Sequence, residues 1–185
     1  MGWLIVLVII VVAALWAILV YNGLVRRKNM VAEAWSGIDA QLKRRADLIP
    51  NLVATVKGYA AHESATFEEL ARLRASVQSQ TNVAARAQTE IAIVAALAHL
   101  LAVAEAYPEL KASDNFRQLQ SELADTEDQI QLARRYYNGT VRNYNIVIEQ
   151  FPSNLVADIG RFAPAPFFQI ENDSGRQVPD AAFGG

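Results

Sequence analysis

Two histidines, His62 and His99, are the chain's whole supply of imidazole, and cysteine is absent. Without a thiol, cysteine nucleophiles, disulfides and Cys-based metal sites are all excluded. His62 stands beside Glu63 in an AHES stretch, a pair that could start a metal site. A bound metal needs three or four converging donors, so one imidazole and its neighbouring carboxylate do not make one. His99 lies among Leu and Ala, the setting of a histidine satisfied in a core or a helix interface. No Gly-rich phosphate loop, nucleophile elbow or paired-carboxylate arrangement accompanies them. The residues assign no catalytic, cofactor or metal role, so neither an enzyme nor a cofactor is expected.

The polar residues that stand out do so by their place on helical stripes. Val31, Trp35, Ile38, Leu42, Arg45, Ile49, Leu52, Val56 and Tyr59 alternate in steps of four and three, with Arg45 the polar member. That spacing keeps one face turned toward a partner helix. Asp39, Arg44, Arg45 and Asp47 gather just ahead of Pro50 and Asn51. Pro50 has no amide proton and crowds the preceding turn, so a kink or break is expected there, and the unbroken phase of the stripe favours a kink. The structural reading is that Arg45 or Arg44 bonds a carboxylate and the carbonyls freed by Pro50, fixing register more than adding stability. The functional reading, an assembly or partner contact, is the weaker of the two. A second stripe runs through Phe116, Leu119, Leu123, Thr126, Ile130, Ala133, Tyr137, Val141, Tyr144, Ile148 and Phe151 to Pro152. It spans ~37 residues, or roughly 55 Å of helix. Tyr137-Asn138 and Tyr144-Asn145 are seven apart and so share a face, where Asn commonly specifies register or oligomeric state.

Positioning these stripes falls to three segments. Residues 1–25 form an apolar anchor: Gly2 to Val20 carries no charge, Trp3 sits near one end, and Trp16 and Tyr21 lie toward the other. About 20 such residues cross a bilayer, and aromatic rings favour its interfaces. The run is too long for a signal peptide and lacks a basic start. Arg26, Arg27 and Lys28 follow it, and together with Trp3 and Tyr21 they are the expected lipid-proximal residues. Lys and Arg beside a span stay cytoplasmic, which places the N-terminus outside and the body inside. Residues 26–151 read as a helical bundle. A second helix carries Phe67, Leu70, Leu73 and Val77, and a third runs from about Val83 to Tyr107. Within the third, Ile91–Ala104 is almost wholly apolar and too short to span a bilayer, so it reads as buried on most sides. Ser113 is the expected N-cap of the last helix, with Asp114 in its first turn. Residues 152–185 should form an extended tail, and its Phe162, Phe167 and Phe168 call for at least the first half to pack back on the bundle. The net charge of −2 gives no case for nucleic acid.

The stretch AWSGIDAQLKRRADLIPNLVATVKGYAAHE (Ala34–Glu63) resembles the signature of the LemA family of bacterial single-span membrane proteins. AVAEAYPELKAS (Ala102–Ser113), ARRYYNGTVRNYN (Ala133–Asn145) and YNGLV (Tyr21–Val25) resemble it too. Ala40, His99 and Arg161-Phe162 depart from the family's usual residues without touching the fold. The resemblance implies an all-α protein in the bacterial inner membrane. Its transmembrane helix would continue into a long antiparallel bundle of about four helices, with an irregular C-terminal tail. It carries over no catalytic residue. The leading expectation is a non-enzymatic membrane scaffold that self-associates into a higher-order homo-oligomer. Its candidate assembly contacts are Trp35, Asp39, Arg44, Arg45, Asp47, Pro50, Tyr137, Asn138, Tyr144, Asn145, Phe162, Phe167 and Phe168. The alternative is an adaptor that regulates a membrane protease or signalling protein. The expected partners are the lipid bilayer, further copies of the chain and, in the second reading, another membrane protein.

Overall fold

The computed structural model describes residues 1–80 and 82–169, and every regular element among them is helical. The 56 residues of α1 (Gly2–Lys57) form one uninterrupted helix, ~84 Å long at 1.5 Å per residue. Anchor and body therefore share a single axis. The most apolar window of α1 has a mean hydropathy of 3.2 and is 0% buried within the chain, so lipid is the environment that covers it.

Three helices pack beside this rod, a short fourth element links two of them, and one turns back on it. Helices α2 (Ser64–Ser79) and α3 (Val83–Glu105) form a hairpin, α4 (Pro108–Ala112) is one short turn, and α5 (Asp114–Glu149) is the second long helix. Asn82 caps α3 by accepting from the amides of Ala84 (2.9 Å) and Ala85 (3.2 Å). Ser113 occupies the N-cap position of α5, but its hydroxyl makes no capping bond. The α1–α5 pairing is antiparallel. Thr55 meets Asn115 at one end, Arg45 meets Glu127 midway, and Leu24 packs on Tyr144 and Ile148 at the other.

Three cores stack along the rod, and they differ in what closes them. Farthest from the apolar span, Ile49, Leu52 and Val56 of α1 meet Leu70, Val77, Ile93, Leu100 and Phe116. Four helices enclose that core. Nearer the span α1 and α5 run past the head of α3, which adds only Val83 and Ala87 to the next core, and the chain's own tail closes the remaining side. The tail begins with α6 (Ser153–Ile159) after a cis Phe151–Pro152 peptide, then runs extended to Gln169. Residues 170–185 of the expected tail lie outside the described residues.

Two expectations about burial are revised. Tyr59, the last member of the first stripe, is 43% exposed where α1 has ended. The apolar run of α3 is covered on one side only, and Val94, Ala95, Ala98 and Ala102 face outward. Its other side supplies Ile93, Leu97, Leu100 and Ala104 to the core.

Pro50 sits inside α1 without ending it, and an arginine makes this possible. Proline removes the amide that would bond the carbonyl four residues back, which is Ala46. The Arg74 Nε of α2 donates to that carbonyl at 3.0 Å. An arginine was expected in this role, but as Arg44 or Arg45. Arg44 instead points to solvent, and Arg45 is committed elsewhere. Arg74→Ala should destabilise the fold by about 1–2 kcal/mol, because Ala46 is buried and its carbonyl loses its donor. Arg44→Ala should change stability by less than about 0.5 kcal/mol. Thermal unfolding of the full chain in lipid particles checks both.

Candidate functional site

The tail is held by side chains that read its backbone. Asn145 donates through Nδ2 to the Ala165 carbonyl at 3.0 Å and accepts the Ala165 amide at 2.9 Å. Asn138 repeats the pattern on Phe168, donating at 3.0 Å and accepting at 2.9 Å. The Tyr137 hydroxyl donates to the Pro166 carbonyl at 2.8 Å. The spacing explains the fit. Seven residues of α-helix rise ~10.5 Å, and three residues of an extended proline-rich chain advance ~9 Å and return to the same face. Pro164 and Pro166 have no amide to leave unpaired. The amides of Ala165 and Phe168, which need acceptors, are the ones the asparagines serve.

Aromatic packing seals this clasp. Phe168 is fully buried, its ring centroid 5.4 Å from Trp35 of α1, and Trp35 lies 5.6 Å from Tyr137 of α5. Phe162 stacks edge-on against Tyr21 at 5.4 Å. Gly160 leaves room for that contact, since a Cβ there would come within 2.5 Å of the Phe162 ring. Arg161 follows in the left-handed region at φ 54°. Phe167 is 41% exposed and takes no part. Tyr144 packs in the span-proximal core with Leu24. Burial pushes the Tyr137 hydroxyl above its ordinary pKa.

A buried charge network lies next along the rod. Arg45 of α1 binds Glu90 of α3 and donates to Glu127 of α5 at 2.7 Å. Glu90 also takes Arg86 at 3.1 Å, and Arg86 reaches Asp39 at 3.2 Å and the Val77 carbonyl. Arg45, Arg86 and Glu90 are all buried. Asp39 binds Lys43 as well, at 3.2 Å, and Asp47 faces Arg74 at 3.7 Å. The structure thus joins Asp39 and Arg45 through residues that sequence reasoning missed. Arg86 and Glu90 form an i,i+4 pair at the head of an apolar helix, and that was their one visible signal. A charge network of this kind fixes how three helices register. His99 is exposed rather than buried, and its Nδ1 lies 3.1 Å from the Thr66 hydroxyl across the hairpin. Among the described residues no three His, Asp or Glu side chains converge as metal ligands. Trp3, Arg26, Arg27 and Lys28 are exposed along α1, with Tyr21 between them against Phe162.

The sequence profile of the LemA family matches residues 34–183, which takes in the network, the clasp and the tail. The chain belongs to the LemA family. It is 28% identical over 137 residues to Protein LemA of Metamycoplasma hominis, covering 74% of this chain and 63% of that protein. It is 38% identical over 74 residues to Magnetosome protein MamQ 2 of Paramagnetospirillum magneticum, 40% of this chain and 27% of that one. MamQ of Magnetospirillum gryphiswaldense is 32% identical over 73 residues, with the same 40% and 27% shares. This LemA-family chain thus spans between about a quarter and two thirds of these relatives.

In the LemA-family chain, Asn145→Ala and Asn138→Ala should each release one end of the tail, at about 1–3 kcal/mol per variant. Hydrogen exchange read at Ala165 and Phe168 should show protection lost at the partnered residue first. Docking should also weaken as pH rises past the ordinary tyrosine value of ~10, because a released Tyr137 ionises there and a buried one resists. Below that window both states hold the proton, and Tyr137 adds no pH dependence to docking. Tyr137→Phe should flatten the alkaline loss.

Proposed function

We propose that this protein is a non-enzymatic, membrane-anchored scaffold that self-associates into a higher-order homo-oligomer. The observation that carries the reading is the open side of α3. Its most apolar window has a mean hydropathy of 1.7, yet only 33% of that window is buried. A helix apolar all round belongs inside something. Val94, Ala98 and Ala102 repeat every four residues on the uncovered side, and Ala95 widens it. Small side chains let a second helix approach closely, and the same face of another copy satisfies this one symmetrically. The rod holds these faces away from the bilayer at a fixed distance, which suits a lateral lattice or ring of anchored copies.

The body lies on the cytoplasmic side of the bacterial inner membrane, because Arg26, Arg27 and Lys28 follow the span directly. Nothing in the names Protein LemA or Magnetosome protein MamQ specifies a reaction. A second reading, the adaptor for a membrane protease or signalling protein, draws on the clasp. A groove that recognises backbone through paired asparagines would also take an extended proline-bearing segment from a partner.

The mass of full-length protein extracted into native lipid particles decides between them. The scaffold reading expects a large, uniform assembly that Ala98→Glu reduces to single copies, with helical circular dichroism unchanged. A wild-type monomer would sink it and turn attention to a partner held in the clasp.

A further inference from the structure

The corner where α5 turns into α6 exposes apolar side chains that neither the bundle nor the clasp uses. Phe151 is 75% exposed, Leu155 53%, Ile159 86% and Ile146 50%. The corner does not face water far from the membrane. Pro152 lines an apolar hollow with Val8, Ile9, Val12, Ala13 and Trp16 of α1. One turn onward, Val156, Ile159 and Gly160 line a second hollow with Ala17, Ile18 and Tyr21.

We propose that the α5–α6 corner is inserted into the bilayer leaflet on the body side, as a second, non-spanning membrane contact. The argument is one of depth along a rigid ruler. Residues 1–25 have no charged side chain, and a ~30 Å hydrocarbon core takes up ~20 residues of straight helix. Every placement of that core within this run includes Val12 to Val20. Whatever packs on those residues lies at membrane depth too. Pro152 faces Val12 and Trp16 across the first hollow, and α6 then climbs toward Tyr21 and the interface.

The local chemistry fits a lipid surround. A helix end in a leaflet must satisfy its last carbonyls without water. Here the Ser153 hydroxyl lies 2.7 Å from the Val147 carbonyl and 2.8 Å from that of Gln150, and the Asn154 amide donates to Gln150 at 2.9 Å. Val156 and Ala157 are buried against the bundle, leaving Leu155 and Ile159, one turn apart, to face outward. Glu149 and Asp158 are the exposed carboxylates of the corner, and keeping them near water favours the placement of the span nearest the N-terminus, with Pro152 as the deepest point of the insertion. Arg161 follows α6 beside Tyr21, on the side where Arg26, Arg27 and Lys28 leave the span. Cations at that level suit anionic headgroups.

The proposal rests on α1 spanning the bilayer and is independent of self-association. Because the chain lacks cysteine, single labels can be placed at will. Leu155→Cys, Ile159→Cys and Phe151→Cys would each carry an environment-sensitive fluorophore in the full chain. The samples are vesicles of phosphatidylcholine and phosphatidylglycerol containing either a shallow or a deep nitroxide-labelled lipid, the deep one reading the span control. Val8→Cys serves as the span control, and Leu132→Cys, exposed farther along α5, as the aqueous control. The expected result is lipid quenching at 155, 159 and 151 several-fold above that at 132, with iodide in the water having the opposite ranking. Quenching at 8 but iodide access at 155 and 159 overturns the insertion alone. Shielding of 155 and 159 from both quenchers means a protein contact covers the corner, and also overturns it. No lipid quenching at 8 removes the span and the insertion together.

Discussion

The continuity of α1 governs everything else in the molecule. A helix that passes from the lipid-covered run into the bundle without a joint gives each later element a fixed height and azimuth relative to the membrane. Two places could have interrupted it. Between Val25 and Val31 the chain shifts from apolar to charged, and the residues there stay helical. At Pro50 the missing backbone bond is replaced from outside by Arg74, so the hairpin that packs on α1 also keeps it whole. Helix and hairpin depend on each other.

Along this rod the bundle changes character, and the buried ion network marks the change. Arg45, Glu90 and Arg86 lie where the α2–α3 hairpin ends and the two-helix section begins. Burying three charges is expensive, and their mutual attraction serves more to exclude wrong registers than to add stability. Past that point α1 and α5 would expose a long apolar trough. Two helices alone enclose little, and the chain closes the trough with its own tail. Trp35, Phe168 and Tyr137 then do for this section what Leu52, Leu70 and Leu100 do for the other.

The helices were legible because they are long and strongly periodic. The first stripe from Ile38 to Val56 is buried, and so is nearly all of the second from Phe116 to Ile148. The seven-residue interval of Asn138 and Asn145 correctly placed them on one face. Their partner was not legible. Asparagine at a seam suggests a facing helix, and nothing in a helical period announces that the facing segment is the extended Ala165–Phe168. The open side of α3 was hidden for a related reason: a helix apolar all round gives no clue to which side the core has taken. Arg74 went unnoticed because its bond to Ala46 crosses between elements far apart in sequence. Glu90 and Glu127 lie far from Arg45 in sequence, and only the fold brings Arg45 between them.

The clasp has a consequence for how the groove behaves toward other ligands. The segment it holds is tied to the bundle through α6 by only a few residues, from Ile159 to Ala165. A short tether of this kind sustains a local concentration in the millimolar range. Any free peptide competing for the two asparagines therefore meets a groove already filled, and its apparent affinity falls in proportion to the tail's own hold on the site. Occupancy by an outsider requires that the tail be drawn away first, which makes the groove a latch closed by default rather than an open receptor.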